Sequence, residues 1–296
     1  MSSQTRKIGG VPHLGCALGQ RVRGSHIVGG LKNQRNGVAG TSRTASAVAV
    51  APVMCTGLPN ARNVNGVGKA HTASGLKSRQ LMEGRVKVRV GTWNVGTLSG
   101  KSRELVEVLK RRNVNICCVQ ETRWKGGKAK EIGEGYKIIY AGKTSARNGV
   151  GVIVDEKMKA NVVGVVRKSD RVIIVKLVIG GKVLNVVSAY APQIGCEESL
   201  KEEFWQEMDE IVQGISGRED IVIGGDMNGH LGSDRTGYER VHGGYGFGER
   251  NYMGERVLDF AQAYDLAIVN TFYRKREEHY ITFKSGGSRS QIDCLM

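Results

Sequence analysis

Val172–Tyr190 reads VIIVKLVIGGKVLNVVSAY, and this stretch narrows the fold. Two runs rich in β-branched residues, Val172–Ile179 and Val183–Tyr190, flank Gly180-Gly181. A Gly-Gly pair between such runs signals a tight hairpin, because glycine accepts the positive φ that a two-residue turn needs. A hairpin makes antiparallel neighbours. That argues against a purely parallel, doubly wound sheet, in which each strand returns through a crossover.

Working outward, the apolar patterning starts abruptly at Val86. Val86–Val95 (VKVRVGTWNV) begins with strict alternation, the mark of a half-buried strand. Leu105, Val108 and Leu109 then fall at i, i+3 and i+4, with Glu104, Glu107, Lys110 and Arg111 opposite, which predicts an amphipathic helix. Val114–Gln120, Tyr136–Tyr140, Val150–Val154 and 161–167 read as further strands. A second helix is expected from about Ser199 to Val212, burying Leu200, Phe204, Met208 and Ile211. Ile221–Gly224 is a short buried strand, and 229–250 is a glycine-rich loop. Val257, Phe260, Ala261 and Tyr264 mark a third helix, and strands are expected at Leu266–Asn270, Tyr280–Phe283 and Gln291–Leu295. About ten strands with three main helices are best buried as two mixed sheets packed face to face with helices outside, an α+β or α/β sandwich.

Composition sets the boundaries. The chain has 296 residues, 40% of them hydrophobic, and a formal charge of +16. Residues 1–85 carry 12 Lys and Arg against one acid, Glu83, so most of the excess charge sits there. Their Gly, Ser, Ala and Arg content without apolar period predicts a disordered basic tail able to attract polyanions. The six cysteines show no CxxC pair and read as reduced thiols. No apolar run approaches the length needed to span a membrane, and MSSQTRKIGG lacks a secretory core. The expected location is intracellular, the nucleus ahead of the cytoplasm. The Arg- and Ser-rich, acid-poor tail leaves mitochondrial import as the alternative.

Several acids and amides directly follow apolar strands: Asn94, Glu121, Asp226 and Asn228, while Asp293 sits inside the last apolar run. Hard oxygen ligands of this kind suit Mg²⁺, which takes one or two carboxylates and keeps waters and substrate phosphate. Gly224 and Gly225 would allow close backbone approach. Each residue also has a plainer reading. Asn and Asp after a strand are ordinary turn formers. Glu121 could pair with Arg123 at the surface. His230 and His279 could be catalytic or incidental loop residues. Asp293, between Ile292 and Cys294, requires a partner if the strand is buried.

Taken in order, Trp93-Asn94, Gln120-Glu121-Thr122, Ser188–Pro192, Gly225–Asn228 and Gln291-Ile292-Asp293 resemble the endonuclease/exonuclease/phosphatase superfamily over residues 86–296. The run 270–279 and the following 281–287 resemble its subgroup of non-LTR (LINE-type) retrotransposon endonuclease domains. The resemblance implies a four-layer αββα sandwich (DNase I-like) and Mg²⁺-dependent hydrolysis of DNA phosphodiesters by a monomer gripping the phosphate backbone, with Mn²⁺ as the other candidate ion. It implies Glu121 as principal metal ligand beside Asn94, and Tyr190 at the scissile phosphate. Asp226 would position or deprotonate the attacking water, Asn228 would hold the phosphate, and Asp293 would orient a histidine that stabilises the transition state. An inositol polyphosphate phosphatase is the less favoured member of the same superfamily.

In that group the histidine lies in a Ser-Asp-His-type segment some tens of residues beyond the strand of Asp293. None of the six histidines (13, 26, 71, 230, 242, 279) stands there, and the sequence closes at Met296. The expectation is therefore a domain incomplete at its C-terminus, lacking its last strand or strands and weak or inactive as a nuclease. The competing expectation is a non-catalytic fragment or nucleic-acid-binding remnant.

Overall fold

The computed structural model describes residues 49–56, 85–285 and 288–296. Its first sheet has the strand order β1-β2-β3-β6-β5-β4, formed by Ala49–Thr56 (β1), Arg85–Asn94 (β2), Ile116–Gln120 (β3), Ala129–Gly133 (β4), Tyr136–Ala141 (β5) and Val150–Val154 (β6). The second has the order β13-β10-β9-β8-β7, from Val162–Arg167 (β7), Val172–Ile179 (β8), Lys182–Tyr190 (β9), Asp220–Asp226 (β10) and Asp293–Leu295 (β13). Phe283–Ser285 (β11) and Ser288–Ser290 (β12) form a separate two-stranded ribbon. The helices are Ser102–Arg111 (α1), Glu156–Lys159 (α2), Glu198–Gln213 (α3) and Tyr252–Ala263 (α4). None is long and apolar enough to cross a membrane.

Burial divides into three apolar layers, which gives four layers of structure. Val88, Val90, Ile116, Cys118 and Val152 of the first sheet face Ile173, Val175, Leu184, Val186 and Val222 of the second. Leu105, Val108 and Leu109 of α1 cover the outer face of the first sheet at Cys117, Val119 and Ile153. Phe204, Trp205 and Met208 of α3, with Val257 and Phe260 of α4, cover the outer face of the second. This is the αββα sandwich. The β8–β9 hairpin is present, with φ of +60° at Gly180 and +81° at Gly181. Gly224 sits where the sheets approach closely: an added Cβ would lie 2.9 Å from Cys118 Sγ of the opposite sheet.

The differences from the sequence reading have physical causes. β1 pairs antiparallel with β2 over eight residues and lies within the stretch expected to be disordered. The rest of that expectation, residues 1–48 and 57–84, lies outside the described residues. β4 escapes the sequence reading because four of its five residues are exposed, so it has no apolar alternation. Residues 229–250 contain no helix or strand, as expected.

Leu266–Asn270 is not a strand. Its end enters a 3-10 turn, Val269–Phe272, and Tyr280 likewise follows a 3-10 turn, Glu277–His279. The turn at 269–272 aims the Asn270 side chain at the outer edge of β13. Asn270 Nδ2 donates to the Asp293 carbonyl at 3.1 Å, and its Oδ1 accepts from the Leu295 amide at 2.8 Å. The Asp293 amide donates to Thr282 Oγ1. The sequence reading expects the last strand or strands to be missing here, which would leave an open edge. Instead, side chains bond the outward-facing groups of β13, as a neighbouring strand would.

Candidate active site

Register brings the polar residues to one end of the sandwich. β2 and β3 run parallel with Asn94 beside Gln120, so Asn94 and Glu121 emerge together. β9 and β10 run parallel with Tyr190 beside Asp226. β13 runs back along β10 with Asp293 opposite Asp226. The loops 121–128, 142–149, 168–171 and 191–197 leave the sheets at this same end.

Gln120 forms the floor. It is fully buried, and its Nε2 donates to Ser188 Oγ (3.1 Å), Thr92 Oγ1 (3.2 Å) and the Gly224 carbonyl (3.3 Å). One amide thus ties four strands of both sheets just beneath the site. The sequence reading gives Gln120 no separate role, although a polar residue closing a buried strand needs such partners.

Above it, Asn94 Nδ2 donates to Glu121 Oε1 at 3.0 Å and to Asp226 Oδ2 at 2.8 Å. Tyr190 donates its hydroxyl to Glu121 Oε1 at 3.0 Å, and Arg123 pairs with Glu121 Oε2 at 2.9 Å. Asp226 Oδ1 accepts from the Asn228 amide at 3.0 Å. The structure therefore gathers Asn94, Glu121, Tyr190, Asp226 and Asn228 into one network. Both plain alternatives also hold locally: Glu121 does pair with Arg123, and Asn228 does turn the chain, with its Nδ2 on the Ala191 carbonyl at 2.8 Å. Glu121, Arg123 and Asn228 all have left-handed backbone, at φ of +53°, +52° and +47°. Such conformations cost of order 1–3 kcal/mol each and persist where the surroundings over-determine them.

The charges follow from these interactions. Burial acts to raise the Glu121 pKa, but the hydrogen bonds from Asn94, Arg123 and Tyr190 outweigh it and hold the carboxyl below its usual range. Burial pushes Asp226 up to about 6, against the donors Asn94 and Asn228, and the Glu121 charge adds to the rise. Burial raises Tyr190 too, then the Glu121 and Asp226 charges, so its hydroxyl remains a donor. Arg171 steadies this tyrosine, donating to its carbonyl at 3.1 Å and lying 5.2 Å over its ring.

Asp293 is fully buried, and neither carboxylate oxygen has a hydrogen-bond partner among the described residues. Burial and the facing Asp226 charge push its pKa well up. Thr282 and the Asn94 backbone amide favour the charged form from nearby without completing a hydrogen bond to it. Of the described histidines, His230 engages Asn251 through its backbone, His242 is buried with its Nδ1 on the Gly244 amide, and His279 lies 3.7 Å from Glu278. Among the described residues, Asp293 thus lacks the histidine that the resemblance implies.

The donor set fits a water-rich cation. Among the described residues no group of three His, Cys, Asp or Glu could cage a metal. Mg²⁺ does not need one, since a carboxylate or two plus waters and phosphate suffice. Glu121, with its side chain 14% exposed, offers that carboxylate. Asn94 turns its nitrogen to both acids and its Oδ1 to the Gly96 amide at 3.0 Å, so it fixes Glu121 and Asp226 relative to one another.

A family model described as "Endonuclease/Exonuclease/phosphatase family" matches residues 91–275. Craniofacial development protein 2 of Bos taurus is 31% identical over 214 residues, which is 70% of this chain and 35% of that protein. The same protein of Tragulus javanicus is 30% identical over 214 residues, 70% of this chain and 36% of the relative. The chain therefore spans about a third of the length of these relatives. The solved endonuclease domain of TRAS1, a telomere-specific non-LTR retrotransposon, superposes with a TM-score of 0.50 at 15% identity, covering 70% of this chain and 82% of that one.

Proposed function

Since the chain belongs to the endonuclease/exonuclease/phosphatase family, we propose that its site hydrolyses phosphodiester bonds in DNA with Mg²⁺ as cofactor, as an endonuclease domain of retrotransposon origin. The observation that carries this reading is the single hydrogen-bonded network of Asn94, Glu121, Tyr190 and Asp226 at the shared end of both sheets. Glu121 would hold the cation, with Mn²⁺ as the alternative ion. When bound, that ion supplies positive charge against a phosphate oxygen.

The chain's own residues supply the rest. Asp226, with a pKa raised to about 6, is a base close to neutrality that can take a proton from an attacking water. Asn94 and the Asn228 amide fix its two oxygens. Tyr190, kept protonated, orients Glu121 and can turn its hydroxyl to a phosphate oxygen.

Charge around the site supports a polyanionic substrate. Lys125, Lys128, Lys143 and Arg147 are exposed on loops 121–128 and 142–149. The Thr122 amide bonds the Gly149 carbonyl and the Arg123 amide bonds the Asn148 carbonyl, making the two loops one rim. The segment that follows Tyr190 on the other side carries Glu197, Glu198, Glu202 and Glu203. A DNA backbone would lean on the basic rim. In this reading the chain acts as a monomer, in the nucleus ahead of the cytoplasm.

Nicking of supercoiled DNA in Mg²⁺ tests the proposal, with Glu121→Ala as control. Expected is metal-dependent nicking that the variant loses. The unpartnered Asp293 carboxylate favours a second reading, a domain that binds nucleic acid without turnover. Tight DNA binding with no Mg²⁺-dependent nicking would decide for it.

A further inference from the structure

Glu121 is almost fully subscribed before any cation arrives. Its Oε1 accepts from Asn94 and Tyr190, and its Oε2 accepts from Arg123. A carboxylate has about four lone-pair sites, so three are taken. The third partner differs from the other two. Asn94 and Tyr190 are buried, whereas the Arg123 side chain is 31% exposed. Arg123 also leaves a donor idle: its Nε is buried with no partner among the described residues. The position is built rather than incidental. Arg123 has φ +52°, and hydrogen bonds from the Thr122 and Arg123 amides to Gly149 and Asn148 anchor its backbone.

We propose that Arg123 is a positioning residue that couples cation binding at Glu121 to phosphate binding beside it. The inference rests on the reading of Glu121 as the cation ligand. In the free chain the guanidinium neutralises Glu121 and fills Oε2. A cation must displace it to gain that oxygen. Once displaced, the planar fork, with its idle Nε–H, is presented to a phosphate, whose geometry it matches. A phosphate that takes the fork likewise frees Oε2 for the cation. Each ligand removes the other's obstacle, so each raises the other's affinity by the same factor. The site would stay weakly metallated until substrate arrives.

The test measures binding, not turnover, on the full chain. Mg²⁺ is titrated calorimetrically with and without a twelve-base-pair DNA duplex carrying phosphorothioate linkages, which keep the charge but resist hydrolysis. Titration of the duplex alone is subtracted. In the parent chain the duplex should tighten Mg²⁺ about tenfold, within the roughly 5–150-fold range usual for coupled sites. Arg123→Gln should bind Mg²⁺ severalfold more tightly without DNA and lose most of the coupling. Unchanged Mg²⁺ affinity in that variant, or undiminished coupling, overturns the proposal. If Arg123→Gln fails to melt cooperatively, Arg123→Lys replaces it. That variant keeps the charge without the fork, so its coupling should still fall, and parental coupling in it is equally fatal. Glu121→Gln separates the two levels. Parental Mg²⁺ affinity in that variant refutes the cation site itself, and the coupling with it.

Discussion

Replacing Asn270 with alanine should destabilise the domain far more than a surface amide substitution, because this side chain bonds the edge of β13 as a further strand would. Asn270 is 6% exposed, Leu295 2% and Asp293 0%. The substitution leaves the Asp293 carbonyl and the Leu295 amide without their partner in a region with almost no access to water. Each buried backbone group left unsatisfied costs about 1–3 kcal/mol, so the pair should cost about 2–6 kcal/mol. A domain of this size loses about 2–4 °C of Tm per kcal/mol, which puts the fall at no less than about 4 °C. The assay is a thermal melt by circular dichroism beside Asn161→Ala. The Asn161 side chain reaches the Lys157 carbonyl only at 3.5 Å, at the surface, and its removal should cost under about 0.5 kcal/mol. Asn270→Asp sharpens the result, since it keeps the acceptor for Leu295 but removes the donor to Asp293 and adds a carboxylate. If Asn270→Ala melts within about 2 °C of the parent, the edge of β13 is satisfied some other way and the reasoning fails.

Two more predictions concern charge. Asp293 has a raised folded-state pKa, so above the unfolded value of about 3.9 the folded chain retains a proton that the unfolded chain releases. Its contribution to stability is therefore lost as pH rises through that window, at about 1.4 kcal/mol per pH unit. In EDTA, the stability of Asp293→Asn relative to the parent should therefore rise as pH increases above about 4. Parallel stability–pH curves from urea titrations would contradict the assignment. At the rim, Lys125→Ser, Lys128→Ser and Arg147→Ser combined should lower the salt slope of duplex binding by up to about 3, one for each phosphate no longer neutralised. The same number of charges removed at the far end of the sandwich, at Lys157, Lys182 and Arg218, should leave it unchanged. Equal effects from the two triples in fluorescence anisotropy would remove the rim as the DNA-facing side.

The interior is legible in the sequence and the edges are not. β8, β9 and their Gly180-Gly181 turn are readable because β-branched runs and a turn that tolerates positive φ carry their information locally. α1 is readable for the same reason, with Leu105, Val108 and Leu109 all buried. β4 has no signal because an exposed edge strand needs no apolar face. Leu266–Asn270 misleads because Leu266, Ile268 and Val269 have the composition of a strand. There a tertiary demand, the open edge of β13, overrides the local preference and turns the backbone so that Asn270 can reach it. The site residues Asn94, Glu121, Tyr190, Asp226 and Asn228 are legible through their places at strand ends. The roles of Arg171 and Gln120 are not, since they consist of bonds to residues far away in sequence. Arg123 is legible as a partner of Glu121, but its idle Nε is not.

The unfavourable features within the candidate site bear on what it would bind. Among the described residues, three of the seven non-glycine residues with positive φ, Glu121, Arg123 and Asn228, lie within the site network. So do several buried atoms without partners: Thr122 Oγ1, Arg123 Nε and both oxygens of Asp293. At the opposite end of the sheets, Asn115 and Asp155 satisfy one another. Asn115 donates its amide to Asp155 at 2.7 Å, and Asp155 in turn accepts from the Met158 amide at the start of α2. Unmet donors beside Glu121 call for an anion, and the unmet carboxylate at Asp293 calls for a donor or a positive charge. A phosphodiester answers the first requirement. The second must be answered from outside the described residues or remain a cost, and the Asp293→Asn comparison measures that cost directly.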